Sequence, residues 1–497
     1  MSFPISRANR LHQSAALAAL LVLSSSAFAA TLSVGPGKTF AAPCAALTTA
    51  ANGDIIEIDA AGTYVGDTCA FGASNLTIRG VNGRPKIIAN GSYAWGKGTW
   101  VPYGSNTTID NVEMSGAAVP DQNGAAIRLD GMHLTLRNSY LHHNENGILT
   151  SNDGVSNVVI ENSEFGFNGF GTGYTHNLYI GHINSLVFRG NYSHDANVGH
   201  DLKSRAQTNT IIANRFSSTT GQPSYEIDLP NAGTAYVIGN VIQQPAMNQN
   251  PGLLTFGVEG ATNTTQDLYV VNNTFINDDS SRGTFIFVGS GVTTPVLMQN
   301  NIFAGTGTTI TQTNAIDKTN IRTLTPSFVD RANYDLHPAA GSPAIGAGSA
   351  AGTAPTGVSL LATLQYKHVA STEARPVSNP IDIGAYAYAV APAPAPAPVG
   401  DTIAPVVKIT SPAAGLVSGT VVIGTSASDN SGAAGISQVL TIDGVVKAQA
   451  TGSALSYRWH AGLLAPGSNH VISVSARDAA GNTGNASVTV QIAAKKH

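Results

Sequence analysis

The feature that most constrains this chain is an asparagine that returns in phase. It stands in Asp110-Asn111-Val112, Arg137-Asn138-Ser139, Glu161-Asn162-Ser163, Gly190-Asn191-Tyr192, Ala213-Asn214-Arg215, Gly239-Asn240-Val241, Asn272-Asn273-Thr274 and Asn300-Asn301-Ile302. The intervals are 27, 24, 29, 23, 26, 33 and 28 residues. An apolar alternation precedes each turn, as in Leu134-Thr135-Leu136 and Leu186-Val187-Phe188, and a second strand-like piece such as Gly147-Ile148-Leu149-Thr150 follows. A strand-rich unit of this length cannot bury its apolar face alone, but stacked copies can, so the period predicts the coils of a solenoid. Asparagine tolerates left-handed backbone and hydrogen-bonds nearby chain, so a ladder of stacked asparagines is expected at one corner. Unequal intervals place loops of varying length at a corner, where clefts are shaped.

The chain has 497 residues, of which 53 are glycine and 11% are charged. That composition suits two or more turn-rich, all-β domains. A net charge of −4 supplies no field that would gather nucleic acid, and no such partner is expected. Arg7 and Arg10 precede the apolar run 15–23, and Ala27-Phe28-Ala29 follows it, so residues 1–29 read as a signal peptide. The run is too short to span a bilayer, so no membrane insertion is expected, and the protein is expected to be secreted or periplasmic. In an oxidising compartment Cys44 and Cys69 are expected to form one disulfide. Phe40 to Ala51 reads as a helix capping the end of the stacked sheet, followed by a strand at Ile55-Ile56-Glu57-Ile58. Gly35-Pro36-Gly37-Lys38-Thr39 is not a phosphate loop, because Leu32 stands where that motif needs glycine.

With its opening Val34-Gly35-Pro36-Gly37-Lys38-Thr39-Phe40 and its endings Pro326-Ser327-Phe328-Val329-Asp330, Gly341-Ser342-Pro343 and Ile381-Asp382-Ile383-Gly384-Ala385-Tyr386, the chain resembles the pectate-lyase-like superfamily. The resemblance covers about residues 31–390 and implies a right-handed parallel β-helix. That fold hosts lyases, hydrolases, epimerases and adhesins, so it does not by itself name an activity. The alanine-proline run at 391–400 reads as a spacer. Residues 401–493, with Val406-Val407-Lys408-Ile409, Ile472-Ser473-Val474, Ser487-Val488-Thr489-Val490 and a core candidate in Trp459, resemble a bacterial immunoglobulin-like sandwich. Carboxylates in its Asp429 and Asp478 turns are of a type that can hold Ca²⁺ or cap the turns. The whole is expected to be monomeric.

Three pieces concentrate the reactive side chains: His176-Asn177-Leu178-Tyr179, His200-Asp201-Leu202-Lys203 and Tyr225-Glu226-Ile227-Asp228 start 24 and 25 residues apart. Strand alternation turns Leu178, Leu202 and Ile227 inward, and it predicts one outward patch of Asn177, Tyr179, Asp201, Lys203, Arg205, Glu226 and Asp228. Lys203 is the candidate general base if Arg205 and burial outweigh Asp201, while Arg205 suits a sugar carboxylate. That set fits β-elimination on an acidic, uronic-acid polysaccharide. His176, His200, Tyr179 and Tyr225 are candidate acids, and Asn177 and His194 candidate substrate contacts. Asp201, Glu226, Asp228 and Glu259 are candidate ligands for a Ca²⁺ cofactor. The Lys203-Ser204 pair is similar to the alginate-lyase and chondroitinase-B branch, although no arginine stands one coil later. A glycoside hydrolase using Asp201 with Glu226, or Glu226 with Asp228, is the second enzymatic reading. A surface or adhesin β-helix is the non-catalytic one. His142, His143, His176, His182, His194 and His200 raise zinc, but no zinc motif accompanies them.

Overall fold

A computed structural model of the chain describes residues 29–388, 401–430 and 432–494. The expected spacer, and all but the last residue of the expected signal peptide, lie outside the described residues. Two compact units divide between Tyr388 and residue 401.

In the first unit each coil gives one short strand to each of three parallel sheets, which contain 12, 11 and 10 strands. One coil runs Leu178–Ile180 in the third sheet, Ser185–Arg189 in the first and Tyr192–His194 in the second; Leu202–Ser204 then returns to the third. Every inward position lands on its counterpart in the next coil, as with Leu202 opposite Ile227. Phe165 and Phe216 from the second sheet pack across the interior against Phe188 from the first, with ring centroids 6.1 and 5.8 Å apart. Leu178, Leu202 and Ile227 are fully buried, as the alternation predicted.

The corner ladder exists, but two adjacent residues share the work expected of one. A left-handed residue makes the turn: Asn111, Asn138, Asn162, Ala213, Asn272 and Asn300 all have φ between 48° and 58°. The following residue carries the ladder. Side-chain oxygens of Asn191, Asn214, Asn240, Asn273, Asn301 and Asn320 each accept the backbone N–H of the ladder residue one coil before, at 2.7–2.9 Å. Ser139 and Ser163 fill the earlier rungs. Buried polar backbone must be paired, and this ladder pairs it at every coil.

The cap helix is Pro43–Leu47, shorter than the expected 40–51. Pro43 fixes its start and leaves Ala42 extended, while the Thr48 and Thr49 hydroxyls bond back to the carbonyls of Cys44, Ala45 and Ala46 at its end. Cys44 and Cys69 form the expected disulfide, with Cα atoms 5.6 Å apart, tying the helix to the strand Cys69–Phe71.

Residues 326–388 run back along the outside of the coils. Leu336, Ala344, Ile383 and Ala385 pack with Val241, Ile276 and Ile302 of the second sheet, and Ala351, Leu360 and Ala362 pack with Tyr236, Ile238 and Val271 of the first. Among the described residues no such cover reaches the outer face of the third sheet around residues 176–259, and the candidate site lies there.

The second unit is a mostly antiparallel sandwich. Its three-stranded sheet holds Val406–Ser411, Thr420–Ser428 and Ala454–His460; its five-stranded sheet is centred on Thr483–Ile492 and Asn469–Arg477. Trp459, Ile423, Leu440 and Ile472 form the core between them.

Candidate functional site

Register sets Tyr179, Lys203 and Asp228 side by side on three neighbouring strands of the third sheet. Tyr179 and Lys203 line a cleft of about 580 Å³ whose walls also include His176, His200, Arg205 and Glu259, and Asp228 is buried beside Lys203. The rings of His176, His200 and Tyr225 stack along one wall, at centroid distances of 4.6 and 5.0 Å. Each histidine Nδ1 accepts a backbone N–H from the next coil: His176 from His200 at 3.0 Å and His200 from Tyr225 at 3.2 Å. Nε2 is therefore the protonated nitrogen of each neutral ring. Burial, with Lys203 nearby, pushes His200 down to about 3; burial and His200 push His176 well down. Neither ring is the imidazolium acid that the sequence allowed. Both present Nε2–H as a donor, that of His200 towards Asp228 Oδ2 at 3.4 Å.

Lys203 Nζ donates to Asp228 Oδ2 at 2.7 Å and to Glu259 Oε1 at 2.6 Å. Burial lowers its proton affinity, but these two carboxylates outweigh burial and raise it. Lys203 is thus a held ammonium, which corrects its expected role as a base. Burial pushes the Asp228 carboxyl up, while Lys203 and Thr255 Oγ1, both donating to it, pull against that. With the ammonium in direct contact, the ion pair is the favoured form. Arg205 donates from Nε to Tyr179 Oη at 2.9 Å, from Nη1 to Asn231 Oδ1 at 2.5 Å and from Nη2 to Glu259 Oε2 at 2.5 Å. Glu259 is held low by the same two cations, against a smaller opposing effect of partial burial than their combined pull.

Asn177, Asp201 and Glu226 do not join this patch. Each stands one residue before its strand begins, at the corner, where the chain turns and alternation breaks. All three are fully buried inside the coils. Asn168 Nδ2 donates to Asn177 Oδ1 at 2.9 Å, and Asn177 Nδ2 donates to Asp201 Oδ1 at 3.0 Å, forming an interior polar column. Asp201 Oδ2 and both Glu226 oxygens have no hydrogen-bond partner. Burial pushes Asp201 up to about 8 and Glu226 well up, which favours the neutral carboxyl in both. They cannot act as outward substrate contacts, as hydrolytic carboxylates or as ligands of a cleft Ca²⁺. Asp228 and Glu259, the remaining two of that expected ligand set, hold Lys203 instead.

His194 is also placed elsewhere. It lies on the second sheet, with Nδ1 2.8 Å from Asp195 Oδ2 and Nε2 3.2 Å from Glu164 Oε1. Those carboxylates outweigh burial and push it up to about 9. Asp195 Oδ1 accepts the backbone N–H groups of Thr219, Thr220 and Gly221, so this cluster anchors a loop. The six histidines do not form a zinc site. Among the described residues, donor atoms of three acidic, histidine or cysteine side chains converge only at Asp401, Asp429 and Asp478 of the second unit, within 4.8 Å of one another. That group joins the two turns singled out in the sequence, and oxygen donors of this kind suit a hard cation.

Sequence reasoning missed Asn231 and Thr255. Thr255 was accessible by continuing the register, since Gly252-Leu253-Leu254-Thr255 repeats the pattern that ends in Asp228.

No curated protein matches the chain. Residues 405–490 match the family model for a bacterial Ig domain. The chain therefore joins a three-sheet parallel β-helix, which bears the cleft, to an Ig-like sandwich similar to the bacterial Ig domain.

Proposed function

We propose that this is an exported, monomeric protein whose third-sheet cleft binds a uronic-acid polysaccharide and cleaves it by β-elimination. The observation that carries the reading is the meeting of Lys203, Arg205 and the Tyr179 hydroxyl on one open strand face. The proton beside a uronate carboxylate is too weakly acidic to leave until that carboxylate is neutralised, and two cations provide the neutralising charge. Tyr179 Oη accepts from Arg205, which leaves its own hydrogen free to meet a glycosidic oxygen. In the step, the C–H bond beside the carboxylate breaks and its electrons form a C=C bond. The glycosidic C–O bond breaks, Tyr179 gives its proton to the leaving oxygen, and Tyr179 takes the carbon's proton in exchange. No other reactant is needed. His176 donates from Nε2 and orients the sugar.

The test is ultraviolet absorbance from the unsaturated uronide when the full chain meets a panel of uronic-acid polysaccharides. A rise that disappears in Tyr179→Phe supports elimination. A second reading, glycoside hydrolysis, would use Asp228 and Glu259, the two carboxylates that meet at Lys203 Nζ. New reducing ends without absorbance would select it. Binding with neither signal would make the protein a surface glycan binder.

A further inference from the structure

Glu259 differs from the other charged groups of the cleft. Lys203 and Arg205 have side chains only 8% and 21% exposed, whereas Glu259 is 44% exposed. It reaches the two cations from the solvent side, the side from which a ligand enters. Each of its oxygens takes one cation: Oε1 accepts from Lys203 Nζ and Oε2 from Arg205 Nη2. A planar carboxylate spanning an ammonium and a guanidinium is the contact that a uronate would make.

The loop that carries Glu259 is fixed at its backbone. Glu259 N–H donates to the Pro230 carbonyl at 3.0 Å, and Asn263 N–H donates to the Asn231 carbonyl at 3.0 Å. Left-handed Gly257 and Gly260 bracket it, at φ +69° and +119°. The carboxylate can therefore leave by rotating its side chain, with the loop in place.

We propose that Glu259 is an internal surrogate for the substrate's carboxylate: it occupies the carboxylate position of the cleft, and an acidic sugar enters by displacing it. This rests on the reading that the cleft takes an acidic saccharide. Exchange of one carboxylate for another conserves charge, because Lys203 and Arg205 face Asp228 and Glu259. A neutral sugar that displaced Glu259 would leave two poorly solvated cations short of a partner. Unpaired buried charge is strongly disfavoured, so the surrogate also selects against neutral glycans.

The experiment is calorimetric titration of the full chain, wild type and Glu259→Ala, with free galacturonate and with glucose. Apparent affinity falls by the fraction of time that a site is competent. If Glu259 holds the position nine-tenths of the time, removing it tightens galacturonate binding about tenfold. Glucose binding should not gain. Unchanged or weaker galacturonate binding in Glu259→Ala overturns the proposal, as does an equal gain for glucose. If Glu259→Ala is poorly folded, thermal melts of Glu259→Ala and Glu259→Gln in acetate replace titration. Recovery by acetate but not by glucose supports the surrogate, and no recovery overturns it. The function proposed above fails separately. Tighter galacturonate binding in a protein that cleaves no uronic-acid polymer removes the catalysis and keeps the surrogate. Polymer cleavage by wild type with no change in binding for Glu259→Ala does the reverse.

Discussion

Replacing Asp201 by asparagine should change how stability depends on pH. Asp201 is fully buried, one oxygen has no donor, and burial pushes its carboxyl up to about 8. In the unfolded chain an aspartate titrates near ~3.9. Between those two values the folded chain keeps a proton that the unfolded chain has released. Stability therefore falls as pH rises through that window, by about 1.4 kcal/mol per pH unit for this one group. At pH 7 the accumulated loss is about 4 kcal/mol relative to pH 4. Asp201→Asn removes the titration, and its amide oxygen can still accept from Asn177. It should stabilise the β-helix by a few kcal/mol at pH 7, approaching ~4, and by little at pH 4. The assay is urea denaturation at pH 4, 5, 6 and 7, followed by circular dichroism and read on the β-helix transition. A variant whose stability runs parallel to wild type at every pH would refute a protonated Asp201. Glu226→Gln should flatten the curve further, since Glu226 is equally buried and is also pushed up.

Tyr179→Phe should lower turnover on the true polymer by roughly 10²–10⁴-fold while binding persists, checked by initial rates beside direct titration; full activity would remove Tyr179 from the proton path. Cys44→Ser should cost about 2–4 kcal/mol by loosening the N-terminal cap, measured as a shift in the urea midpoint without reductant. Asn240→Ala removes a rung that accepts from Asn214 and donates to Ile211, and it should cost a few kcal/mol, about 2–4, in the same assay. Exhaustive chelation should leave turnover unchanged, because the cations facing the cleft carboxylates are Lys203 and Arg205; lost activity that Ca²⁺ restores would return a metal to the mechanism.

The coils were legible because their period is a physical requirement: apolar residues must fall on the same faces at every turn for the core to be continuous. Tyr179, Lys203 and Asp228 fall in one register because they lie inside strands, where alternation holds. Asn177, Asp201 and Glu226 were misplaced because alternation was carried one residue too far, across a corner. The ladder was misread for a related reason. Asn111 and Asn138 make the turn, whereas Asn191 and Asn214 make the rung, and one residue type serves both positions. The role of Lys203 depended on a partner 56 residues away, Glu259, and no local pattern reports such a pairing. The residues of the Ig domain were legible as alternating strands, and the family match covers most of them.

The returning segment 326–388 gives the solenoid something that stacking alone does not. In a plain solenoid each coil senses only its two neighbours, so unfolding can begin at an end and travel. Here one segment is bonded to several coils at once. Residues 382–385 hold Asn272 and Thr274, Ser349 holds Asn300, and Tyr366 lies against Tyr192. Coils that never touch are thereby made to open together, and fraying from the far end must first strip off this brace. Because the segment follows the coils in the chain, a stack cut short before residue 326 would keep the cleft-bearing turns and lose the part that locks their outer faces.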